Sequence, residues 1–314
     1  MLAANAPAGG PLDAVRLTGL MGRSAGRPEV IVGLIDGSVA ATHRDLATES
    51  IRILPHASDR APEHASASAL HHGTFVAGIL AAKRGSAAPA ICPGCTVVVR
   101  PIFLQPSGAN ADTPSASPQE LAEAVIDCVQ AGARILNLSL SLATLSPNRE
   151  LKLVQALDHA AAHGTLVVAA AGNQGTVGSS AITRHPWVIP VVACDLAGRP
   201  LPISNLGSSI ARRGLMAPGD AVTSLGANGQ PFTASGTSAA TPFVTGTLAL
   251  LLSMFPEANA AHAKLATTRA DMRRAAIVPP MLDAWSAYQM MLKQLGSRSH
   301  GAEENLGRQS RAVG

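Results

Sequence analysis

Four short motifs carry side chains able to break an acyl bond, and they lie far apart in a chain of 314 residues. Ser238 stands in Gly236-Thr237-Ser238-Ala239-Ala240-Thr241-Pro242, just ahead of a long apolar stretch. A serine hydroxyl attacks a carbonyl only when a base removes its proton and donors receive the developing oxyanion. The start of a buried helix offers free backbone N–H groups and a dipole that favours negative charge. Read alone, a Ser or Thr there is equally an N-cap. His72, in His71-His72-Gly73-Thr74-Phe75-Val76-Ala77-Gly78, brings an imidazole that exchanges its proton near neutral pH. The small and apolar residues after it predict an inward-packed helix with His72 at its exposed start, a place where a lone histidine is usually structural. Asp36 follows the apolar run Val30-Ile31-Val32-Gly33-Leu34-Ile35 and precedes Gly37. Sites in parallel α/β sheets form at such carboxyl ends of strands. A carboxylate there can orient a histidine and stabilise its cation, or simply open a turn. Asn173 closes Ala169-Ala170-Ala171-Gly172-Asn173 with an amide able to donate to an oxyanion or to shape a turn. None of the four decides alone. In the order Asp, His, Asn, Ser, each at a strand end or helix start, they point to nucleophilic acyl chemistry.

The elements that must position these groups follow from the hydrophobic pattern. Continuous apolar runs at 30–35, 97–103, 134–138, 166–169 and 188–192 predict strands covered on both faces. Helical patterns at about 73–82, 118–131 and 148–163 lie between them, so the fold class is α/β with a mostly parallel sheet. Ser117 followed by Pro118 and Glu120 reads as an N-cap, a first-turn proline and a favourable first-turn charge. Short strands are expected near Leu215, Val222 and Phe232, then a long helix from Thr237 to about Phe255, and helices at 260–274 and 281–294. Residues 107–117 read as a surface loop, and 296–314, polar and aperiodic, as a disordered tail.

With these motifs in place, the chain resembles a subtilase over about residues 13–255. Val32-Gly33-Leu34-Ile35-Asp36-Gly37-Ser38-Val39 with His43-Arg44-Asp45-Leu46, His72-Gly73-Thr74, Asn137-Leu138-Ser139-Leu140 and Gly236-Thr237-Ser238 with Ala240 and Pro242 match the family's blocks. The resemblance implies a three-layer α/β/α fold and an Asp36, His72, Ser238 triad with Asn173 as oxyanion donor. It also implies that Ser139, Leu140 and Ser141 pair with the substrate backbone, with Ala170 and Gly172 among the substrate-binding residues. The sequence departs from the family where Gly37-Ser38 follows Asp36, and where Phe75 replaces a frequent second histidine. Ser141 replaces a pocket glycine, and the segment from Asn173 to Pro186 is short. The last two imply a narrowed primary pocket with a rebuilt far wall. Lys83 to Pro89 lacks the Asn and Asp carriers of the family's common calcium loop, so that ion is expected to be lost. The Asp-Gly pair, Cys95 leading into Val99-Arg100-Pro101-Ile102-Phe103, and Thr241-Pro242-Phe243-Val244 with Leu248 to Leu252 resemble a narrower group. Its members trim precursor peptides in cyanobactin-type pathways.

Composition bounds the alternatives. An apolar share of 47% with 14% charged residues fits a soluble globular chain. The length suits one domain of roughly 250–290 residues. It divides as a short extension over 1–11, a peptidase domain over 12–295 and the tail. A net charge of +4 without like-charge blocks argues against nucleic-acid binding. The N-terminus lacks the pattern of a signal peptide, and the 243–255 run is shorter than the roughly 18 residues of a membrane span. A cytoplasmic processing enzyme with a peptide or protein substrate is therefore expected. No cofactor and no metal are implied. Cys128 and Cys194 read as core residues, while Cys92 and Cys95 form a lone C-x-x-C without the partners of a zinc site. Two rivals share the same motifs: a catalytically silent peptide-binding module, and an acyl transferase whose intermediate an amine resolves.

Overall fold

The computed structural model describes residues 9–46, 48–55, 67–102, 117–139, 147–268 and 276–295. Phe103, Leu140, Ser141, most of the 107–117 loop and the 296–314 tail lie outside these residues. Two single turns, α1 (Pro11–Ala14) and α2 (Thr18–Met21), lead into β1 (Ile31–Asp36). Next come β2 (Ile51–Ile53), α3 (Ala67–Ala81), β3 (Thr96–Pro101), α4 (Pro118–Gln130), β4 (Ile135–Leu138), α5 (Pro147–Ala162) and β5 (Leu166–Ala170). α6 (Ala181–Arg184), β6 (Val188–Cys194), α7 (Ser208–Arg213), β7 (Leu215–Pro218) and a hairpin of β8 (Val222–Leu225) and β9 (Pro231–Ala234) follow. The chain continues through α8 (Thr237–Met254) and α9 (Ala260–Thr268) to α10 at 284–295.

Seven strands form one sheet in the order β2-β3-β1-β4-β5-β6-β7, every pairing parallel. Because β1 is flanked by β3 and β4, the winding direction reverses at its carboxyl end, where a crevice opens in such sheets. Asp36 is its last residue. The β1 run is apolar throughout because both faces are covered. Val32 and Leu34 face the cluster built with α3 and α8, and Ile35 faces the one built with α4 and α5. Gly33 lets α4 approach: a Cβ there would lie 2.7 Å from Leu136 Cδ2 and 3.0 Å from Cys128 Cβ. Cys128 and Cys194 are buried free thiols whose pKa burial pushes up to about 12, which fits core residues. Cys92 and Cys95 are also buried and unbridged. α8, long and apolar enough by composition to cross a bilayer, has 89% of its length buried inside the fold and is a core helix.

The observed elements correct several expectations. α3 starts at Ala67 rather than 73, so His72 sits in its second turn, because 67–72 contains no helix breaker. Sequence reasoning missed β2, α6 and α7, each of three to six residues and too short to show a period. Ser117 caps α4 as expected: its side chain accepts from the Glu120 N–H while Glu120 reaches back to the Ser117 N–H.

One charge is deeply buried on the sheet. Arg100 on β3 is 1% exposed; its Nε donates to Asp127 Oδ2 at 2.7 Å and its Nη1 to the Pro101 carbonyl at 2.8 Å. Removing only the acid strands the guanidinium. Asp127→Ala should therefore cost about 3 kcal/mol of stability, read as a lower midpoint in urea denaturation, whereas an unchanged midpoint would show that water replaces the carboxylate.

Candidate active site

The carboxyl edges of β1, β4 and β5 bring the chemistry-bearing residues into one row. In register Ile35 pairs with Leu138 and Leu138 with Ala169, which sets Asp36, Ser139 and Ala170 side by side. Asp36 is fully buried. Its Oδ1 accepts from the Gly37 N–H at 2.6 Å and from His72 Nδ1 at 2.7 Å. Its Oδ2 has no partner among the described residues. A buried carboxylate so incompletely satisfied favours a cation beside it.

Close packing sets the Asp36–His72 distance. A Cβ on Gly37 would run into the Ala69 carbonyl, and one on Gly73 into the Gly37 and Ser38 carbonyls. α3 thus lies directly on the loop that follows β1. Thr74 pins it there by donating to the Leu70 carbonyl at 2.7 Å and accepting from the Ala40 N–H at 3.0 Å. Phe75 points into the core, edge-on to Phe232 at 5.7 Å. Burial lowers the pKa of His72, but the Asp36 charge and hydrogen bond outweigh it, and the net shift is upward. The imidazole remains 32% exposed, so one face is open to solvent or a ligand.

Ser238 is the second residue of α8, half-buried, as its motif suggested. The first N–H groups of the helix have no intrahelical partner. Pro242, inside the helix, has no N–H to offer the Ser238 carbonyl. That carbonyl accepts instead from Ser139 Oγ at 3.2 Å. Ser139 in turn accepts from Asn137 Nδ2 at 2.7 Å, and Asn137 Oδ1 accepts from Thr245 Oγ1 at 2.8 Å. These three side chains are buried. Among the described residues no hydrogen bond joins His72 to Ser238.

Asn173 and Thr237 form the other side of the site. Asn173 Oδ1 accepts from both Thr237 N and Thr237 Oγ1 at 2.9 Å, and Thr237 Oγ1 also accepts from the Gly172 N–H at 3.2 Å. With its oxygen committed, the exposed amide keeps Nδ2 free of hydrogen bonds among the described residues. Gly236, at φ +137°, leaves the space: a Cβ there would sit 2.9 Å from Asn173 Nδ2. Sequence reasoning thus placed Asp36, His72, Asn173 and Ser238 at one edge of the sheet, and the fold gathers their elements there. Ser139, whose backbone is expected to pair with substrate, turns its side chain inward. The bracing roles of Thr237, Asn137 and Thr245 went unread; a polar residue at a core-facing strand position was the available signal for Asn137.

Known proteins agree with this architecture. The subtilase family model matches residues 27–302, and the chain belongs to that family of serine endopeptidases. Subtilisin DY of Bacillus licheniformis is 32% identical over 266 residues, covering 82% of this chain and 88% of that protein. The solved structure of the prenylagaramide maturation protease PagA matches with a TM-score of 0.75 at 27% identity, over 88% of this chain and 98% of that one. The self-cleaved protease domain of PatA matches at 0.70 and 28% identity, over 85% and 98%.

Ser139→Ala removes the donor to the Ser238 carbonyl and leaves Asn137 Nδ2 without its acceptor. The expected loss is about 1–3 kcal/mol in chemical denaturation, restored largely by Ser139→Thr; equal stability of all three proteins would mean that the bridge contributes nothing.

Proposed function

We propose that the protein hydrolyses peptide bonds through an acyl-enzyme formed on Ser238, and that its substrates are precursor peptides or proteins. Ser238 Oγ attacks the scissile carbonyl as His72 Nε2 takes its proton. His72 later returns the proton to the departing amine, and water repeats the cycle on the ester. Asp36 holds the ring through Nδ1 and stabilises the imidazolium. Asn173 Nδ2 and the Ser238 N–H receive the oxyanion, since the Thr237 N–H is committed to Asn173 Oδ1 and the Ala239 N–H to the Gly236 carbonyl. The observation that carries this reading is the 2.7 Å Asp36–His72 contact at the same sheet edge as the α8 start. Catalytic hydrogen bonds are often long in free enzymes and tighten when substrate binds, so closure of His72 onto Ser238 belongs to the Michaelis complex. The maturation role is supported by the names of the prenylagaramide maturation protease PagA and the patellamide maturation protease PatA, each covered nearly end to end by this chain.

Fluorophosphonate probes should label the native protein and fail to label Ser238→Ala; persistent labelling of that variant would overturn the assignment of the nucleophile. Loss of labelling in both would favour the silent binding module.

The raised pKa of His72 gives opposed pH trends. As a base the ring must be neutral, so kcat/KM should rise with pH through a midpoint above the ordinary 6.5. The folded state binds this proton more tightly than the unfolded chain does. Its stabilising contribution is complete below about 6.5 and disappears as pH climbs through the folded value. Asp36→Asn should lower the kinetic midpoint along with the rate, and an unmoved midpoint would assign the titration elsewhere.

A further inference from the structure

A groove of about 520 Å³ runs between 177–179 and α7, lined by Ser179, Arg184, Ser208, Ser209, Arg212 and Arg213 with intervening small residues. Hydrogen bonds tie its 177–179 wall to the segment that leaves Asn173. Asn205 Nδ2 donates to the Ala171 carbonyl at 3.2 Å, while Asn205 Oδ1 accepts from the N–H groups of Gln174 and Thr176, each at 3.1 Å. The Gly178 N–H then donates to the Leu206 carbonyl at 2.8 Å. Val177, at the near end, is four residues from Asn173, a span of at most roughly 14 Å of extended chain.

Cationic charge in the groove is poorly balanced. Arg184 donates to Glu150 Oε2 at 3.0 Å and to the Ser179 carbonyl at 3.1 Å. Arg213 donates only to carbonyls, those of Thr183 and Arg184 at 3.0 Å, and Arg212 is exposed. Among the described residues neither Arg212 nor Arg213 has an ion-pair partner. Behind them Lys264 bonds the Pro186 and Trp187 carbonyls, and burial together with repulsion from Arg213 pushes its pKa down to about 8. Two residues of its wall also hold buried donors, Ser209 Oγ and Arg213 Nε, with no hydrogen-bond partner among the described residues. Buried donors left unpaired are costly, and guanidinium groups recognise carboxylates with directed hydrogen bonds.

We propose that this groove binds an acidic side chain of the substrate peptide and selects Asp or Glu about three to five residues from the scissile bond. The inference rests on the peptidase reading above. Arg213, held by the Thr183 and Arg184 carbonyls, supplies a fixed charge and exposed Arg212 a mobile one, while Arg184 keeps Glu150 as its counter-ion. An acid bound here would sit away from the reacting atoms, so the groove sets selectivity and leaves the chemistry itself unchanged.

The test uses labelled peptides carrying a single Glu or Gln scanned along their length. Binding to the uncleaving Ser238→Ala protein is followed by fluorescence anisotropy, and kcat/KM is measured with the native enzyme. At the matching position Glu should bind and be cleaved about tenfold better than Gln. Arg212→Glu, on an exposed helix position, should abolish or invert that preference while leaving an all-neutral peptide cleaved as before. Added salt should shrink the preference. Equal binding of Glu and Gln peptides at every position, or an Arg212→Glu protein that keeps the preference, would overturn the groove. Cleavage and probe labelling without a Glu preference would do so while leaving the peptidase reading intact. Glu-dependent binding by a protein that neither labels nor cleaves would instead support the groove and overturn the peptidase reading alone.

Discussion

The carbonyl of Ser238 is the group on which the site's construction turns. In an unbroken helix it would accept from the N–H four residues on, but that residue is Pro242 and has none to give. An unpaired carbonyl at this depth is costly, and the fold answers with Ser139 Oγ, reached from the end of β4. The need then passes down a chain of buried side chains, from Ser139 to Asn137 and on to Thr245, which returns to α8 itself. A missing hydrogen bond inside one helix thus becomes a tie between that helix and the central strand. Because Ser139 is level with Asp36, the tie also fixes where the start of α8 stands relative to the end of β1.

The opposite half is held chiefly by exclusion of volume, with one hydrogen bond from the Ala40 N–H to Thr74 Oγ1 beside it. α3 rests on the 37–38 loop with no room for a side chain at Gly37 or Gly73, and such contacts tolerate little drift. An imidazole two turns along a helix is thereby brought to 2.7 Å from a carboxylate at the topological switch point. Burial of Asp36 with one oxygen unsatisfied raises the electrostatic value of a proton on His72, and this opposes the cost of desolvating the ring. The two halves are independent devices that meet at one sheet edge.

Much of this was legible in the sequence because strands covered on both faces leave an unmistakable apolar run, and because strand ends announce themselves by the change to Gly, Asp and Asn. Asp36, Asn173 and Ser238 all sit where those changes occur. The start of α3 was misread because Ala67-Ser68-Ala69-Leu70 is compatible with helix yet too short and too uniform to show a period. β2 and the short helices α6 and α7 escaped because a single turn or three residues cannot display periodicity. The inward role of Ser139 was hidden for a different reason: it answers a vacancy created by Pro242, more than a hundred positions away, and pattern reading treats such residues separately.

The same remoteness explains the basic groove. In the sequence nothing local distinguishes Arg212-Arg213 as a cleft-lining doublet from an ordinary exposed one. The distinction comes from the segment after Asn173, which is short and is stapled by Asn205 to the strand-like stretch at 203–206. A short wall on one side leaves space that α7 borders from the other, and α7 ends in the two arginines. Arg213 is half inside this structure, holding the carbonyls that end α6, so its charge cannot swing out to water as a free surface arginine does. Fixing one guanidinium beside a second, with a half-buried lysine behind, concentrates positive potential that local carboxylates do not cancel. Such a field costs stability unless something negative answers it.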